Sequence, residues 1–253
     1  TRPVRPVRPV RPARPAQLAP RAAKVVAVPI MSEPPPSPWR RRLDLTVYLV
    51  TDRKLCRGRD LLDVVAAAVA GGAGVVQLRE KHATTREFLD LARRCKALLD
   101  PLNVPLLVND RLDIALAVGA AGAHLGQEDM PPTEARRLLG PDAVIGLTVK
   151  TLAQIREAND LDLDYLGVGP IFPSSTKPEA GQTWGPEGLA QARAISRHPL
   201  VAIGGISEAN AQSVAAAGAA GVAVVSAICA AEDPAEAARR LRERMRVEGG
   251  CVL

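Results

Sequence analysis

The sequence predicts an α/β fold, a single (β/α)8 TIM barrel, preceded by a disordered Pro/Arg-rich tail. From Leu45 onward, eight short apolar runs alternate with amphipathic helical stretches, at a spacing of roughly 20–30 residues that suits this fold. The chain is 47% apolar but only 2% aromatic, so its core is predicted to consist of Ala, Val, Leu and Ile. The competing architecture, a doubly wound open sheet, lacks its best signature, because no G-x-G-x-x-G follows the first run.

The predicted tail comprises residues 1–43, and the predicted barrel comprises residues 44–248. Residues 1–16 repeat R-P-V/A with a period of three, and proline at every third position blocks helix and sheet hydrogen bonds. We interpret the residues before Met31, the first methionine, as an extension foreign to the native protein. A proline-rich ligand or a tether to an anionic surface is the functional alternative.

The net charge of +6 arises from an excess of basic residues in the predicted tail. Residues 1–42 hold ten of the 33 basic side chains and one of the 27 acidic ones, which leaves 23 basic and 26 acidic groups elsewhere. We therefore expect no nucleic-acid partner, and no membrane partner, because no apolar run reaches the roughly 20 residues of a membrane span. The four cysteines lack C-x-x-C spacing, which favours a cytoplasmic location without zinc or disulfides. Composition leaves a homo-oligomer open.

Each predicted strand is a short apolar run, and several of the helical patterns between the runs end in Gly or Asn, as helices often do. The predicted strands are residues 46–50, 74–79, 105–109, 122–126, 144–148, 165–169, 200–205 and 221–225. The C-terminal ends of barrel strands converge on one mouth, so the residues that follow each strand are the candidates for a functional site.

The second strand is predicted to deliver a basic clamp to this mouth. Gln77, Arg79 and Lys81 alternate along an extended chain, so their side chains share one face. Amide, guanidinium and ammonium groups are out of place in a core, but they bind phosphate oxygens well. We expect Glu80, which points the other way, to support the wall, while keeping it among the substrate-binding candidates.

The third and fourth strands are predicted to deliver a pair of acids. Asn109 and Asp110 follow the third strand, and Asp129 follows the fourth in the segment GQEDMP. Magnesium needs only one or two protein carboxylates, so this pair suits a Mg²⁺ ion that bridges a polyphosphate. Either aspartate could instead cap the helix that follows it, but the convergence of the two loops favours the metal.

The remaining strand ends carry hydroxyl groups, a lysine and glycines. The fifth strand ends at Thr148, the seventh in Gly204 and Gly205, and the eighth in Val225 and Ser226. Backbone N–H groups of the last two strand ends often bind a monophosphate in barrels. The loop after the sixth strand carries Ser174, Ser175, Thr176 and Lys177. Two separate anion sites predict either two phosphorylated substrates or one substrate with a phosphate at each end.

Eight motifs in order resemble those of the thiamine phosphate synthase (thiamine-phosphate pyrophosphorylase) family. They are YLVTD (48–52), QLREK (77–81), VND (108–110), HLGQED (124–129), IGLT (145–148), GPIFPSSTK (169–177), GGI (204–206) and VSAI (225–228). The resemblance covers about residues 46–245. It implies a magnesium-dependent transferase built on a (β/α)8 barrel.

The resemblance implies that 4-amino-2-methyl-5-(diphosphooxymethyl)pyrimidine condenses with 4-methyl-5-(2-phosphoethyl)thiazole and that pyrophosphate is released. The implied reaction is a largely dissociative substitution assisted by Mg²⁺. Pyrophosphate leaves, the 4-amino group stabilises the pyrimidinylmethyl cation, and the thiazole nitrogen attacks it. Such a reaction needs no covalent nucleophile, which agrees with the lack of a Ser/His/Asp or Cys/His pattern in the sequence.

The resemblance also assigns residues to roles. The pyrimidine pyrophosphate would be held by Gln77, Arg79, Lys81 and Asn109, the Mg²⁺ by Asp110 and Asp129, and the pyrimidine ring would contact Thr148. The thiazole phosphate would be cradled by Gly205, Val225 and Ser226, and the phosphates would be reached from the sixth loop by Ser174, Thr176 and Lys177. Ser175 in the same loop is also a substrate-binding candidate. The catalytic candidates are Lys177, Arg79, Lys81 and Thr148.

Three positions depart from the family pattern. Thr148 replaces the usual Ser and Ser174 replaces a Thr, and both keep the hydroxyl group. Lys150 stands where many relatives carry His. A thiazole tautomerase of the same superfamily would rely on that His and lack the metal aspartates, and a non-catalytic regulator would have no reason to keep both anion sites. A sugar-phosphate isomerase would need a base at the mouth. The transferase is therefore favoured.

Overall fold

A computed structural model describes residues 39–173 and 183–246, which contain a closed barrel of eight parallel strands. The strands follow one another around the barrel in chain order, and the last pairs with the first. Their bounds are β1 Val47–Val50, β2 Val75–Leu78, β3 Leu106–Asn109, β4 Gly122–Leu125, β5 Val144–Val149, β6 Tyr165–Val168, β7 Leu200–Ile203 and β8 Gly221–Val224. The predicted (β/α)8 barrel is confirmed, with strand ends shifted by at most two residues.

One helix precedes the first strand, and the other helices follow the strands and pack around the barrel. Their bounds are α1 Trp39–Arg42, α2 Leu61–Ala70, α3 Thr85–Leu99, α4 Leu112–Val118, α5 Pro132–Leu139, α6 Leu152–Ala158, α7 Gly185–Ile195, α8 Glu208–Ala216, α9 Ser226–Cys229 and α10 Pro234–Arg244. Side-chain caps stabilise the N-termini of several of these helices. Thr84 and Glu87 form a capping box at α3, and the Asp60 side chain caps α2. None of the helices described is long and apolar enough to cross a membrane.

Two layers of buried side chains hold the barrel together. The layer between strands and helices is mainly aliphatic, as the composition predicts, with Phe88 as its buried aromatic ring. The centre of the barrel differs, because Tyr48 and Tyr165 are fully buried there and their hydroxyl groups lie 2.8 Å apart. The prediction of a core made only of Ala, Val, Leu and Ile is therefore wrong at the barrel centre, where polar groups are buried together with their partners.

Helix α1 packs against the N-terminal end of the barrel, although composition assigns its residues to the tail. Trp39 packs onto the apolar cluster of the barrel interior. The guanidinium of Arg40 donates to Asp164 at 2.7 Å and to Asp162 at 2.6 Å, just before β6. Arg136 of α5 also pairs with both aspartates. The residues before Trp39 lie outside the described part, so the extent of the tail stays a prediction.

Candidate active site

Three side chains at the end of β2 line one cavity. Gln77, Arg79 and Lys81 all face it, as their alternation in the sequence predicts. Glu80 does not line this cavity, and its carboxylate pairs with Arg53 at 3.2 Å instead. Strand alternation turns Glu80 away from the mouth and toward the wall, as expected, and its part in substrate binding stays a prediction.

The cavity lies at the C-terminal mouth of the barrel and has a volume of about 300 Å³, which suits a small-molecule ligand. All strands but β3 contribute to its lining. Besides the β2 residues, it is lined by side chains and backbone of Tyr48, Val50, His124, Thr148, Lys150, Tyr165, Gly167, Gly169, Pro170, Val201, Ile203, Gly204, Gly205, Ile206, Ala223, Val224, Val225 and Ser226.

The two predicted metal ligands, Asp110 and Asp129, are brought together beside this cavity. Asp110 follows β3 in a tight turn, in which the N–H of Arg111 donates to the carbonyl of Asn109 at 2.7 Å. The φ of Asp110 is +62°, a left-handed conformation that costs a non-glycine residue roughly 1 kcal/mol. The loop of Asp129 is closed by a hydrogen bond from the Gly126 N–H to its carboxylate at 2.6 Å.

Neither aspartate serves as a helix cap, which was the structural alternative to metal binding. Helix α4 starts after Arg111, and α5 starts after Pro131, and neither start has a side-chain cap. A hydrogen bond instead joins the side chains of Asp110 and Asp129. Burial, this hydrogen bond and the like charge of Asp129 together raise the pKa of Asp110 to about 6. The carboxylate pair is therefore held in a place that favours a proton or a cation.

The acidic pair fits a magnesium ion in charge and position. A hydrogen bond from the Asn109 side chain and the positive charge of Lys81 both act to lower the pKa of Asp110. Both residues therefore lie next to the acidic pair. In the described ranges, no group of three or more His, Cys, Asp or Glu side chains could hold a metal. Two carboxylates suffice for Mg²⁺, which keeps several waters and takes further oxygens from substrate phosphates.

The diglycine turn after β7 forms another part of the cavity wall. Gly204 and Gly205 have φ values of +99° and +65°, which glycine adopts without strain. A Cβ on Gly205 would lie 2.8 Å from the Cβ of Phe172, so no larger residue fits there. Val225 and Ser226 at the start of α9 line the same cavity. The cradle predicted from the last two strands and the basic clamp thus face one opening.

Thr148 lies in the cavity wall near the end of β5. Its Oγ1 is 2.7 Å from Nε2 of His124, and its carbonyl accepts a hydrogen bond from the Gln127 amide at 2.6 Å. His124 thereby makes the structural hydrogen bond that the sequence suggests for a histidine inside a strand. The backbone carbonyl of His124 also accepts a hydrogen bond from the N–H of Asp110. His124 therefore contacts both Thr148 and the backbone of the acidic pair.

Four predicted site residues lie outside the described residues, and the cavity lining includes residues that were not predicted as site residues, among them Tyr165 and Lys150. The four outside the described residues are Ser174, Ser175, Thr176 and Lys177. Tyr165, which reads as an apolar strand residue, lines the cavity, and so does Lys150. The position of Lys150, two residues beyond Thr148 on the same strand face, is the signal that could have identified it.

The chain is similar to thiamine-phosphate-forming proteins over its whole barrel. Residues 47–228 match the family described as thiamine monophosphate synthase. The chain is 56% identical over 199 residues to the thiamine-phosphate synthase of Albidiferax ferrireducens, which covers 79% of this chain and 91% of that protein. Its counterpart from Azorhizobium caulinodans is 50% identical, with coverages of 79% and 94%. The solved thiamine phosphate pyrophosphorylase from Pyrococcus furiosus has a TM-score of 0.74 and 38% identity, covering 81% of this chain and 97% of that one.

Proposed function

Since this chain belongs to the thiamine monophosphate synthase family and is a transferase that makes thiamine phosphate, we propose which substrates, metal and residues it uses. The substrates proposed are 4-amino-2-methyl-5-(diphosphooxymethyl)pyrimidine and 4-methyl-5-(2-phosphoethyl)thiazole. Their condensation releases pyrophosphate. The observation that carries this proposal is a single cavity with a basic clamp on β2 and a diglycine cradle on β7.

Arg79 and Lys81 are proposed to bind the pyrophosphate of the pyrimidine substrate. Their positive charges line the cavity wall, where they oppose the negative charge that builds up on a departing pyrophosphate. Asn109 lies beside Asp110 at the same edge. Lys177, which lies outside the described residues, is proposed to stabilise the same leaving group from the sixth loop. An enzyme with Lys177→Ala that kept full turnover would refute this role.

Asp110 and Asp129 are proposed to hold Mg²⁺. When bound, the ion would supply positive charge to the pyrophosphate oxygens and lower the barrier to their departure. Burial and the neighbouring Asp129 raise the pKa of Asp110, and a divalent cation would relieve the repulsion between the two carboxylates. Removal of either carboxylate should therefore weaken metal binding and substrate binding together.

The thiazole phosphate is proposed to bind at the opposite wall, through backbone N–H groups near Gly205 and Ser226. The phosphate would anchor the thiazole so that its ring nitrogen approaches the pyrimidine carbon that loses pyrophosphate. Thr148 would contact the pyrimidine ring. A cavity of about 300 Å³ leaves little room for bulk water beside two bound rings, which protects a cationic intermediate from hydrolysis.

The test is a pyrophosphate-release assay on the full chain. We expect release only when both substrates and Mg²⁺ are present, and loss of release when EDTA is added. Release without the thiazole phosphate would indicate a hydrolase, and conversion of a thiazole without the pyrimidine would indicate an isomerase. Full activity in EDTA would refute the magnesium proposal while leaving the transferase unaffected.

We also propose a cytoplasmic location with small-molecule substrates as the functional partners. The cysteines in the described part of the chain, Cys56, Cys95 and Cys229, are all free and buried. Burial raises the pKa of the Cys95 thiol to about 12, so this thiol is inert. Size-exclusion chromatography with light scattering would decide whether the chain forms a homo-oligomer.

A further inference from the structure

Five polar side chains that line the cavity form one chain of hydrogen bonds. Nε2 of Gln77 donates to the hydroxyl of Tyr48 at 2.7 Å, and this hydroxyl lies 2.8 Å from that of Tyr165. The Tyr165 hydroxyl lies 2.8 Å from Nδ1 of His124, and Nε2 of His124 lies 2.7 Å from Oγ1 of Thr148. We call the series Gln77–Tyr48–Tyr165–His124–Thr148 the hydrogen-bond relay.

The fold makes room for the hydrogen-bond relay at specific positions. Its members come from five strands, and Tyr48 and Tyr165 are 1% and 0% exposed. Gly146 on β5 has no side chain where the Tyr165 ring lies, and any Cβ there would overlap the ring. A Cβ on Gly167 would lie 3.1 Å from the ring of His124. The sequence therefore provides space for buried polar groups at the centre of an otherwise apolar barrel.

The orientation of the Gln77 amide, with its nitrogen toward Tyr48, sets the direction of the relay. The Tyr48 oxygen accepts from Gln77, so the hydrogen of Tyr48 is donated to Tyr165. The hydrogen of Tyr165 then goes to Nδ1 of His124, which must be unprotonated to accept it. A neutral His124 carries its proton on Nε2 and donates it to Thr148. The hydroxyl hydrogen of Thr148 is thereby left for a ligand in the cavity.

A protonated Nδ1 on His124 would break this order. Nδ1 would then donate to Tyr165, and Tyr165 would donate to Tyr48, whose oxygen already accepts from Gln77. One hydrogen of a fully buried hydroxyl would then lack an acceptor, which disfavours this arrangement. Burial raises the pKa of both tyrosines, so each keeps its proton and its place in the relay. The same argument disfavours a doubly protonated His124.

We propose that Tyr48, Tyr165 and His124 are positioning residues that hold Thr148 as a hydrogen-bond donor toward a ring nitrogen of the heteroaromatic substrate. This inference deepens the proposed function and rests on its placement of the pyrimidine beside Thr148. Gln77 lines the cavity and uses its amide nitrogen for Tyr48, so its carbonyl oxygen can serve as an acceptor for a ligand. The cavity then offers a donor and an acceptor from different strands, a pattern that an aminopyrimidine satisfies with its ring nitrogen and amino group.

The direction of the relay can be measured without any substrate. The chain has three histidines, so long-range ¹H–¹⁵N spectra of the labelled protein are simple, and the His124→Gln variant assigns the signal. We expect His124 to be neutral, with a proton on Nε2 and none on Nδ1, at neutral pH. A proton on Nδ1 would mean a reversed relay and would overturn the proposal, and so would a doubly protonated ring.

Steady-state kinetics test the positioning role. Tyr165→Phe removes the donor to His124 and should lower kcat/KM for the pyrimidine substrate about 10-fold to 100-fold, with an unchanged KM for the thiazole phosphate. His124→Gln keeps a donor near Thr148 and should retain more activity than His124→Asn, whose amide is too short. His198→Gln is the matched control, since His198 bonds the Ala158 carbonyl away from the cavity.

The outcomes separate the relay from the proposed function. Wild-type kinetics in Tyr165→Phe, or equal activity of His124→Gln and His124→Asn, would overturn the positioning role. If Tyr165→Phe does not fold, the tautomer of His124 in the wild-type protein still decides the direction. If the protein fails to release pyrophosphate but His124 carries its proton on Nε2, the proposed substrates fail while the direction of the relay stands.

Discussion

At the scale of single residues, Asp110 combines three unfavourable features. Its backbone is left-handed, its carboxylate is half-buried, and Asp129 lies next to it. Strained and like-charged groups of this kind persist when the surrounding structure holds them, and they occur most often at functional sites. A bound cation would offset the electrostatic part of this cost. Under the proposed magnesium role, Asp110 therefore lowers the stability of the free protein and strengthens the binding of the ion.

Replacing Asp110 should separate its effect on protein stability from its effect on ligand binding. Asp110→Asn removes a negative charge, and Asn tolerates the left-handed conformation, so the free energy of unfolding should rise by about 1 kcal/mol. Pyrophosphate release should fall at least about 100-fold, because one of the two carboxylates for Mg²⁺ is lost. Urea unfolding and the release assay measure the two effects. Asp113→Asn, at an exposed aspartate paired with Arg111, should leave catalysis unchanged.

The pKa of Asp110 also predicts a pH dependence of stability. This pKa is about 6 in the folded protein and about 4 in an unfolded chain, so the folded state binds more protons between these values. The contribution of Asp110 to the free energy of unfolding should therefore decrease as pH rises from 4 to 6, by about 1 kcal/mol after allowance for solvent screening. The difference between wild type and Asp110→Asn isolates it from other carboxylates. A difference that stays constant across this range would contradict the shift.

At the scale of elements, the turn after β7 shows why the cradle needs glycine. The carbonyl of Gly204 accepts a hydrogen bond from the N–H of Phe172 at 3.0 Å, so the β7 turn and the β6 loop are joined. Gly205 approaches Phe172 too closely for any side chain. The amide of Asn210 in α8 donates to the Gly205 carbonyl at 2.9 Å and fixes the turn from outside. Three elements thus fix one short backbone segment of the cavity wall.

Gly205→Ala should damage both stability and the binding of the thiazole phosphate. The left-handed backbone costs about 1 kcal/mol, and the clash with Phe172 adds about 1–3 kcal/mol. We expect KM for the thiazole phosphate to rise about 10-fold, as for the loss of one hydrogen bond. Gly140→Ala is the matched control, because φ is +87° there but a Cβ meets no other atom within 4 Å. Equal KM values in the two variants would argue against the cradle.

At the scale of the whole molecule, α1 closes the end of the barrel that lies opposite the cavity. Arg40 reaches Asp162 and Asp164, which lie more than 100 residues later in the chain. The Asp164 side chain is only 8% exposed, and its carboxylate also accepts from the backbone N–H of Ile145 at 2.7 Å. Breaking a pair that involves a buried carboxylate costs more than breaking a pair at the surface.

Arg40→Ala should lower the free energy of unfolding without affecting catalysis. We expect a loss of about 2–3 kcal/mol, because the buried Asp164 loses one of its positive partners while Arg136 remains. Chemical denaturation measures the loss, and the pyrophosphate assay should give wild-type kinetics because the site lies at the other end of the barrel. Arg42→Ala, at an exposed position on the same helix, should change stability by less than about 0.5 kcal/mol. Similar losses in both variants would contradict a specific role for Arg40.

The sequence predicted the strands and the residues at their ends better than the interactions between those residues. Apolar runs located all eight strands, and alternation alone placed Gln77, Arg79 and Lys81 on one face. The close approach of Asp110 and Asp129 was expected from adjacent strand ends. Their mutual effect on pKa could not be read from the sequence, because it depends on burial and on the distance between two separate loops.

The sequence by itself determined the barrel and the kinds of groups at its mouth, because hydrophobic periodicity and strand-end chemistry are local properties of the chain. The tertiary structure decided that Tyr165, apparently an ordinary strand residue, is a hydrogen-bond partner of both Tyr48 and His124. It also decided that Glu80 faces Arg53 instead of the cavity. Such contacts exist only after the barrel closes, since closure brings together side chains from strands that are distant in sequence.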